Sequence, residues 1–264
     1  MKYDAQESSN ILWNTWQTGA VIEGLPQECR PATRSGAYAV QALLAAHSSQ
    51  PPVGWKIAAT SLAGQKHVNV SGPLAGRLLA ERMHADGSTI SLTGNRMKVA
   101  EAEFVFAMAQ SVAPRHKPYS LEEVMSYVAD LFLGIEVPNS RFTSFLTAGE
   151  AQLIADNACA HEFVLGPRAS PRWRQIDLAA HVVHAVVEGN SRRYERKGVG
   201  ANVLGDPRIA LTWLINELST YSITLAAGQY VTTGTCLVPL EIETGDAVVA
   251  DFGALGRVGC RFTG

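Results

Sequence analysis

Cysteine is scarce in this chain: Cys29, Cys159, Cys236 and Cys260 are scattered along 264 residues, with no Cys-x-x-Cys pair and no zinc-like spacing to histidine. That excludes a disulfide framework and a structural zinc site, and fits reduced thiols in a cytosolic protein. Long hydrophobic runs are missing too. Nowhere do the roughly 18 consecutive apolar residues of a membrane span occur, and the polar start from Met1 to Asn10 lacks the apolar stretch of a signal peptide. A cytoplasmic location with no membrane partner is expected. Nor does charge of one sign dominate: 22 Lys and Arg face 24 Asp and Glu, a formal net charge of −2, so there is no basic surplus to drive nucleic-acid binding. Internal repeats, low-complexity segments and a nucleotide-type glycine loop are all absent. With 47% hydrophobic residues, the chain reads as an ordinary globule long enough to bury a substantial core.

Against this background three acids stand out. Glu101 and Glu103 lie inside the apolar run Val99-Ala-Glu-Ala-Glu-Phe-Val-Phe106, and Glu136 interrupts Leu131-Phe-Leu-Gly-Ile-Glu-Val137. Residues i and i+2 of a strand share a face, roughly 7 Å apart, so the first two can converge on one point. A buried carboxylate without a partner must protonate or find a cation. Three oxygen donors with no neighbouring His or Cys suit a hard divalent ion, Mg²⁺ or Mn²⁺. A solvent-facing strand would account for Glu101-x-Glu103 alone, but Glu136 and the flanking Phe104, Phe106 and Phe132 argue for covered strands. Lys56, set between Trp55 and Ile57, is a candidate to pair with a substrate carboxylate or to move protons, the alternative being an edge-strand lysine facing water.

Residues 5 to 20 and 33 to 47 read as amphipathic helices, and 1 to 50 as a helical appendage with too little apolar bulk to fold alone. From 51 to 264 the pattern turns mainly to strands, expected at 53–59, 88–92, 98–109, 131–137, 162–165, 178–187, 191–197, 230–233, 247–250 and 257–262. Short helical stretches are expected at 62–67 and from Ser120, where Ser120-Leu-Glu-Glu123 fits a capping box, and Asp206-Pro207 opens a long helix to Tyr221. The class this predicts is α+β, a β-rich mixed sheet, rolled or barrel-like, with the amino-terminal helices packed on it.

The ordered set Gly54-Trp-Lys-Ile57, Glu101-Ala-Glu103, Ile135-Glu-Val137 with Ser140-Arg141, Ala155-Asp-Asn157, Leu204-Gly-Asp-Pro207, Trp213-Leu214 and Thr233-Gly-Thr235 resembles the 2-keto-4-pentenoate hydratase and 4-oxalocrotonate decarboxylase branch of the fumarylacetoacetate hydrolase superfamily. The resemblance runs from about residue 30 to the end. It implies a rolled mixed β-structure like that superfamily's C-terminal fold, with Glu101, Glu103 and Glu136 holding Mg²⁺ or Mn²⁺, which chelates a 2-oxo acid. It further implies Lys56 as the active-site lysine, Thr233, Gly234 and Thr235 as a loop near the substrate, and homo-oligomeric assembly. The activity implied is addition of water to a 2-hydroxy-2,4-dienoate to give a 4-hydroxy-2-oxo acid, in aromatic-compound catabolism. Decarboxylation of a 2-oxo-3-enedioate and hydrolysis of a C–C bond in an acylpyruvate stay open on the same scaffold, as does, in another class, a non-catalytic 2-oxo-acid binder or partner subunit.

Three departures from the family pattern stand in the sequence. Where relatives carry Pro-Asp-Phe-Gly, this chain has Pro73-Leu-Ala-Gly76, so Leu74 occupies a substrate-side position without its acid. Asn139 stands for an Asp before Ser-Arg, and Cys159 for a frequent Ser. Further candidates are Gln65 as a substrate contact, His161 as a pocket residue, Arg77 or Arg82 as a partner for a second carboxylate, and Arg141 as a brace for the Glu136 strand. His181 and His184 would face opposite sides of one strand, His67 and His116 lie near expected loops, and Trp13 and Trp16 at i and i+3 are expected to pack the appendage.

Overall fold

Asp4 opens helix α1 (Ala5–Thr18) by accepting from the Gln6 and Glu7 amides, and Gly19 closes it in the left-handed region. Thr33 caps α2 (Arg34–Ala46) in the same way through the Gly36 amide. This computed structural model describes residues 4–264; residues 1–3, part of the expected appendage, lie outside the described residues. Leu12 and Trp16 of α1 and Tyr38, Val40 and Leu44 of α2 are buried in one hydrophobic core with the strands that follow.

Those strands and helices are β1 (Gly54–Ala58), α3 (Leu62–His67), β2 (Leu74–Leu78), β3 (Met83–Ala85), β4 (Thr89–Ser91), β5 (Val99–Met108), α4 (Leu121–Ser126), β6 (Val128–Val137), α5 (Glu150–Ala155), β7 (Glu162–Arg168), β8 (Val182–Glu188), β9 (Arg193–Val199), α6 (Pro207–Thr220), β10 (Tyr230–Thr235), β11 (Leu240–Glu241), β12 (Ala247–Asp251) and β13 (Arg257–Thr263). The described strands form an eight-stranded sheet in the order β2-β1-β10-β5-β6-β7-β3, with β11 added on β5, and a five-stranded sheet in the order β4-β13-β12-β8-β9. The strands β2 and β3 are the two ends of the larger path, yet only residues 79–82 separate them in the chain. Four residues span at most about 14 Å, so the sheet has to curl until its ends approach. The expected rolled mixed sheet is the fold observed.

Both faces of the central strands are covered. Phe104 and Phe106 of β5 point to the outer face, where Phe104 meets Phe252 edge-on at 5.2 Å and Phe106 meets Trp173 at 5.9 Å. Each such ring contributes roughly 1.5–3 kcal/mol by leaving water. Alternation then sends Glu101, Glu103 and Val105 to the inner face. The capping box at Ser120 and Glu123 is present, as is the Asp206 cap of α6. Helix α5 and the short strands β3 and β11 lie outside the expected elements, and two further details differ from the sequence-based expectation. The segment 178–181 is a turn, held by the Asp177 carboxylate accepting from the Ala180 amide, so His181 precedes β8 and does not belong to it. And β2, with its Ala-Gly centre, carries no strand signal of its own; pairing to β1 makes it one.

Candidate active site

Glu101 lies directly opposite Glu136 across the antiparallel β5–β6 ladder, and Glu103 lies opposite Gly134. Paired residues share a face, so the three carboxylates project together, and one oxygen from each lies within 4.8 Å of the others. Gly134 leaves room for a neighbouring ring. A methyl group there would come 2.3 Å from the Phe163 ring and 2.9 Å from Val105, and that ring fills the space beside Glu103.

Glu103 is fully buried and Glu136 is 1% exposed. Glu103 Oε2 accepts from the Gly234 amide at 2.8 Å and from the Thr232 hydroxyl. Its other oxygen, and Oε2 of Glu136, have no hydrogen-bond partner. Burial and the neighbouring carboxylates push Glu101 and Glu103 above the ordinary glutamate range, with Lys56 opposing. Orphaned buried oxygens on mutually repelling acids are the signature of a place for a cation, and an all-oxygen donor set fits a hard divalent ion.

Lys56 supplies part of the missing charge. It is 2% exposed, and its ammonium lies 2.9 Å from Glu136 Oε1 and donates to the Ala158 carbonyl at 3.0 Å. Burial alone would lower its pKa, but the three glutamates, Glu136 first, outweigh that and raise it. The group is held as a cation.

The Ala158 carbonyl comes from an unusual piece of backbone. Asn157, Ala158 and Cys159 all have left-handed φ, at 55°, 50° and 61°, a conformation that disfavours non-glycine residues by roughly 1–2 kcal/mol each. Behind it, buried Arg141 is paired with Asp156 and donates to the carbonyls of Asn139, Asp156 and Ala160. Arg141 therefore braces this turn, and it stacks on Trp16 at 4.5 Å.

The Thr-Gly-Thr segment sits where β10 bulges between Thr232 and Thr235. Gly234 has φ of 94°, which turns its amide onto Glu103. The hydroxyls of Thr233 and Thr235 instead donate to the carbonyls of Phe104 and Leu237. Thr232, which touches Glu103 directly, carries no functional signal in the sequence, being a β-branched residue in a strand. Leu74 is buried on β2 opposite Ala58, on the face of Lys56 and Gly76. Gln65 donates to the carbonyl of Ala59, just beyond β1.

Other candidates hold partners of their own. Arg82 is paired with Glu162 at 2.6 Å, and Arg77 stacks at 4.4 Å on Trp55, on the sheet face opposite Lys56. His161 accepts from the Trp16 indole at 2.8 Å, and with Arg77 and Arg82 it lines a narrow cavity shared with Glu136. His181 bonds the Phe252 carbonyl at 2.7 Å, and Trp13 stacks on His47 at 5.3 Å. Next to the acids, Val105, Phe163 and Leu78 form a small separate apolar cluster on the inner face.

A curled mixed sheet with a carboxylate trio on its inner face defines a candidate metal-dependent enzyme scaffold. The chain belongs to the fumarylacetoacetate hydrolase family, whose C-terminal domain model matches residues 50–263. A 2-keto-4-pentenoate hydratase of Burkholderia vietnamiensis is 29% identical over 249 residues, 93% of this chain and 92% of that protein. A 4-oxalocrotonate decarboxylase of a Pseudomonas species is 28% identical over 211 residues, 80% of this chain and 77% of the relative. The solved structure of 4-oxalocrotonate decarboxylase from Pseudomonas putida, complexed with magnesium and adipate, matches with a TM-score of 0.84 at 25% identity, covering 98% of this chain and 97% of that one. Among the described residues no helix is long and apolar enough to cross a membrane.

Proposed function

We propose that this chain is a divalent-metal-dependent hydratase of short 2-hydroxy-2,4-dienoates, yielding 4-hydroxy-2-oxo acids in the catabolism of aromatic compounds. The observation that carries the reading is the convergence of three carboxylate oxygens within 4.8 Å beside a buried lysine. Glu101, Glu103 and Glu136 would hold Mg²⁺ or Mn²⁺, which when bound supplies Lewis-acid stabilisation of the negative charge that develops on a 2-oxo acid.

The chain's own groups then account for the proton movements. A 2-hydroxy-2,4-dienoate gives up its enol proton and gains one at C5, which leaves a conjugated enone; water adds its hydroxyl at C4 and its proton at C3. Lys56, held as an ammonium with two of its three N–H donors engaged, has one left to meet the substrate and relay a proton. The buried ring of Phe163 with Val105 and Leu78 gives this face of the sheet an apolar wall.

That same apolar wall favours a substrate with a short hydrocarbon tail. For a diacid the second carboxylate would have to draw on Arg82, already paired with Glu162, or on Arg77, stacked on Trp55, both of which line the narrow cavity shared with Glu136 and Phe163. The test is to assay the purified protein with Mg²⁺ against a 2-hydroxy-2,4-pentadienoate, a 4-oxalocrotonate-type diacid and an acylpyruvate. Turnover of the first above the others supports the hydratase. Preferred turnover of the diacid or the acylpyruvate makes the chain a decarboxylase or a C–C hydrolase, and no turnover with tight oxalate binding makes it a 2-oxo-acid binder.

A further inference from the structure

The left-handed turn at Asn157–Cys159 delivers one thing to the candidate site, the Ala158 carbonyl on Lys56. A turn of three non-glycine residues at positive φ does not hold itself together, and the surrounding contacts show what does. The Asn157 side chain bonds the backbone of edge strand β2 on both sides of Arg77, accepting from its amide at 2.6 Å and donating to its carbonyl at 2.9 Å. In effect Asn157 adds a ladder rung to an open sheet edge. The upstream end is tied through Asp156, which accepts from the Ser140 hydroxyl at 2.7 Å and pairs with Arg141. The downstream end is tied twice, by the Asn139 amide donating to the Cys159 carbonyl at 2.9 Å and by Arg141 donating to the Ala160 carbonyl at 2.9 Å.

Gly76 lies opposite Lys56 in the β1–β2 ladder. A methyl group on it would sit 2.2 Å from the Asn157 carbonyl oxygen, so only glycine lets the turn come down onto the lysine. Three separate parts of the chain, residues 76–77, 139–141 and the turn itself, thus converge to fix one acceptor. With Glu136 as the other, the ammonium is clamped between two fixed points and its remaining N–H has one direction available.

We propose that Asn157, backed by the Asp156–Arg141 pair and by Gly76, is a positioning residue for Lys56: it fixes the carbonyl that aims the lysine's free N–H at the substrate. This rests on Lys56 being the proton-moving group of the hydratase reading. Neither Asn157 nor Gly76 touches the three glutamates, so their loss would spare the metal set and displace the ammonium. Misplacement of a reacting group by about 1 Å lowers rates by about 100-fold.

The test is Asn157→Ala, measured with Mg²⁺ and a 2-hydroxy-2,4-pentadienoate, alongside Mn²⁺ affinity by calorimetry and thermal melting. The expected result is kcat down by about 100-fold, with KM and Mn²⁺ affinity within about twofold of the parent. Arg192→Ala, which breaks the Arg192–Asp246 pair on the second sheet, serves as a destabilised control that keeps its kcat. If Asn157→Ala does not fold, Gly76→Ala displaces the same turn from the opposite side and is held to the same outcome. An unchanged kcat, or a kcat that falls only in step with Mn²⁺ affinity, overturns the proposal. Lys56→Ala separates the two layers: if it loses activity while the Asn157 and Gly76 variants keep theirs, only the positioning role fails, and if it keeps full activity, the hydratase reading of Lys56 fails with it.

Discussion

Glu101 and Glu136 face each other directly across two antiparallel strands, an arrangement that like charges destabilise. Nothing in sheet physics favours it. The repulsion persists in the folded chain because Lys56 offsets part of it and because the trio is shaped for a further cation.

Removing one of those charges separates binding from folding. Glu103→Gln is expected to abolish metal-dependent turnover and to melt, without added metal, no lower than the parent, since one repelling charge is gone. Activity with Mg²⁺ and calorimetric melting in EDTA check this; normal turnover in the variant would remove the metal centre from the mechanism.

Lys56→Ala should do the reverse to stability. Deleting the cation leaves Glu136 buried without its partner, and breaking a buried pair costs about 3–5 kcal/mol. Adding Mg²⁺ should recover part of this loss by mass action, while the rate stays lower by orders of magnitude. Equal melting temperatures for parent and variant in EDTA would show that the lysine is not compensating the trio.

Parent protein without substitutions should melt higher with Mn²⁺ or Mg²⁺ than with EDTA, and the gain should rise with the logarithm of metal concentration above Kd. Glu101→Gln should flatten that dependence. A melting temperature indifferent to metal in the parent protein would contradict the oxygen trio as an ion site.

Gly234 has φ of 94°, and a methyl group on it would come 2.4 Å from the Thr60 hydroxyl. Gly234→Ala should therefore withdraw the amide that holds Glu103 and weaken Mn²⁺ affinity by roughly tenfold, the scale of losing a group that orients a metal ligand. Unaltered affinity by calorimetry would leave the bulge without a role at the site.

Acid should loosen the anchorage of α1. Burial holds His161 down to about 4 from an ordinary 6.5, outweighing Glu162 and aided by Arg141 and Arg82. Because the folded value lies below the unfolded one, the neutral imidazole's contribution is fully present above pH 6.5 and is lost as the pH falls from there towards about 4. Protonating Nδ1 also abolishes its acceptance from the Trp16 indole. Urea midpoints at pH 7.5 and pH 5 should differ more in the parent than in His161→Gln; identical slopes would exclude His161 as a source of the acid sensitivity.

Much of this molecule was legible from residue order. Period-two alternation in Val99–Met108 put Glu101 and Glu103 on one face, and apolar residues at the intervening positions required a covered outer face; both depend on local backbone geometry, which needs no knowledge of the rest of the chain. Helix caps at Asp206 and Ser120 are equally local. What residue order could not supply was anything made by partners distant in sequence. That Asn157 bonds the edge of β2 across 80 positions, that Gly76 leaves room for a left-handed turn, and that Thr232 reaches Glu103 across 129 positions all arise when the sheet curls and its strands pair. Such contacts depend on which surfaces meet, and Asn, Gly and Thr look the same in a sequence whether or not anything lies against them.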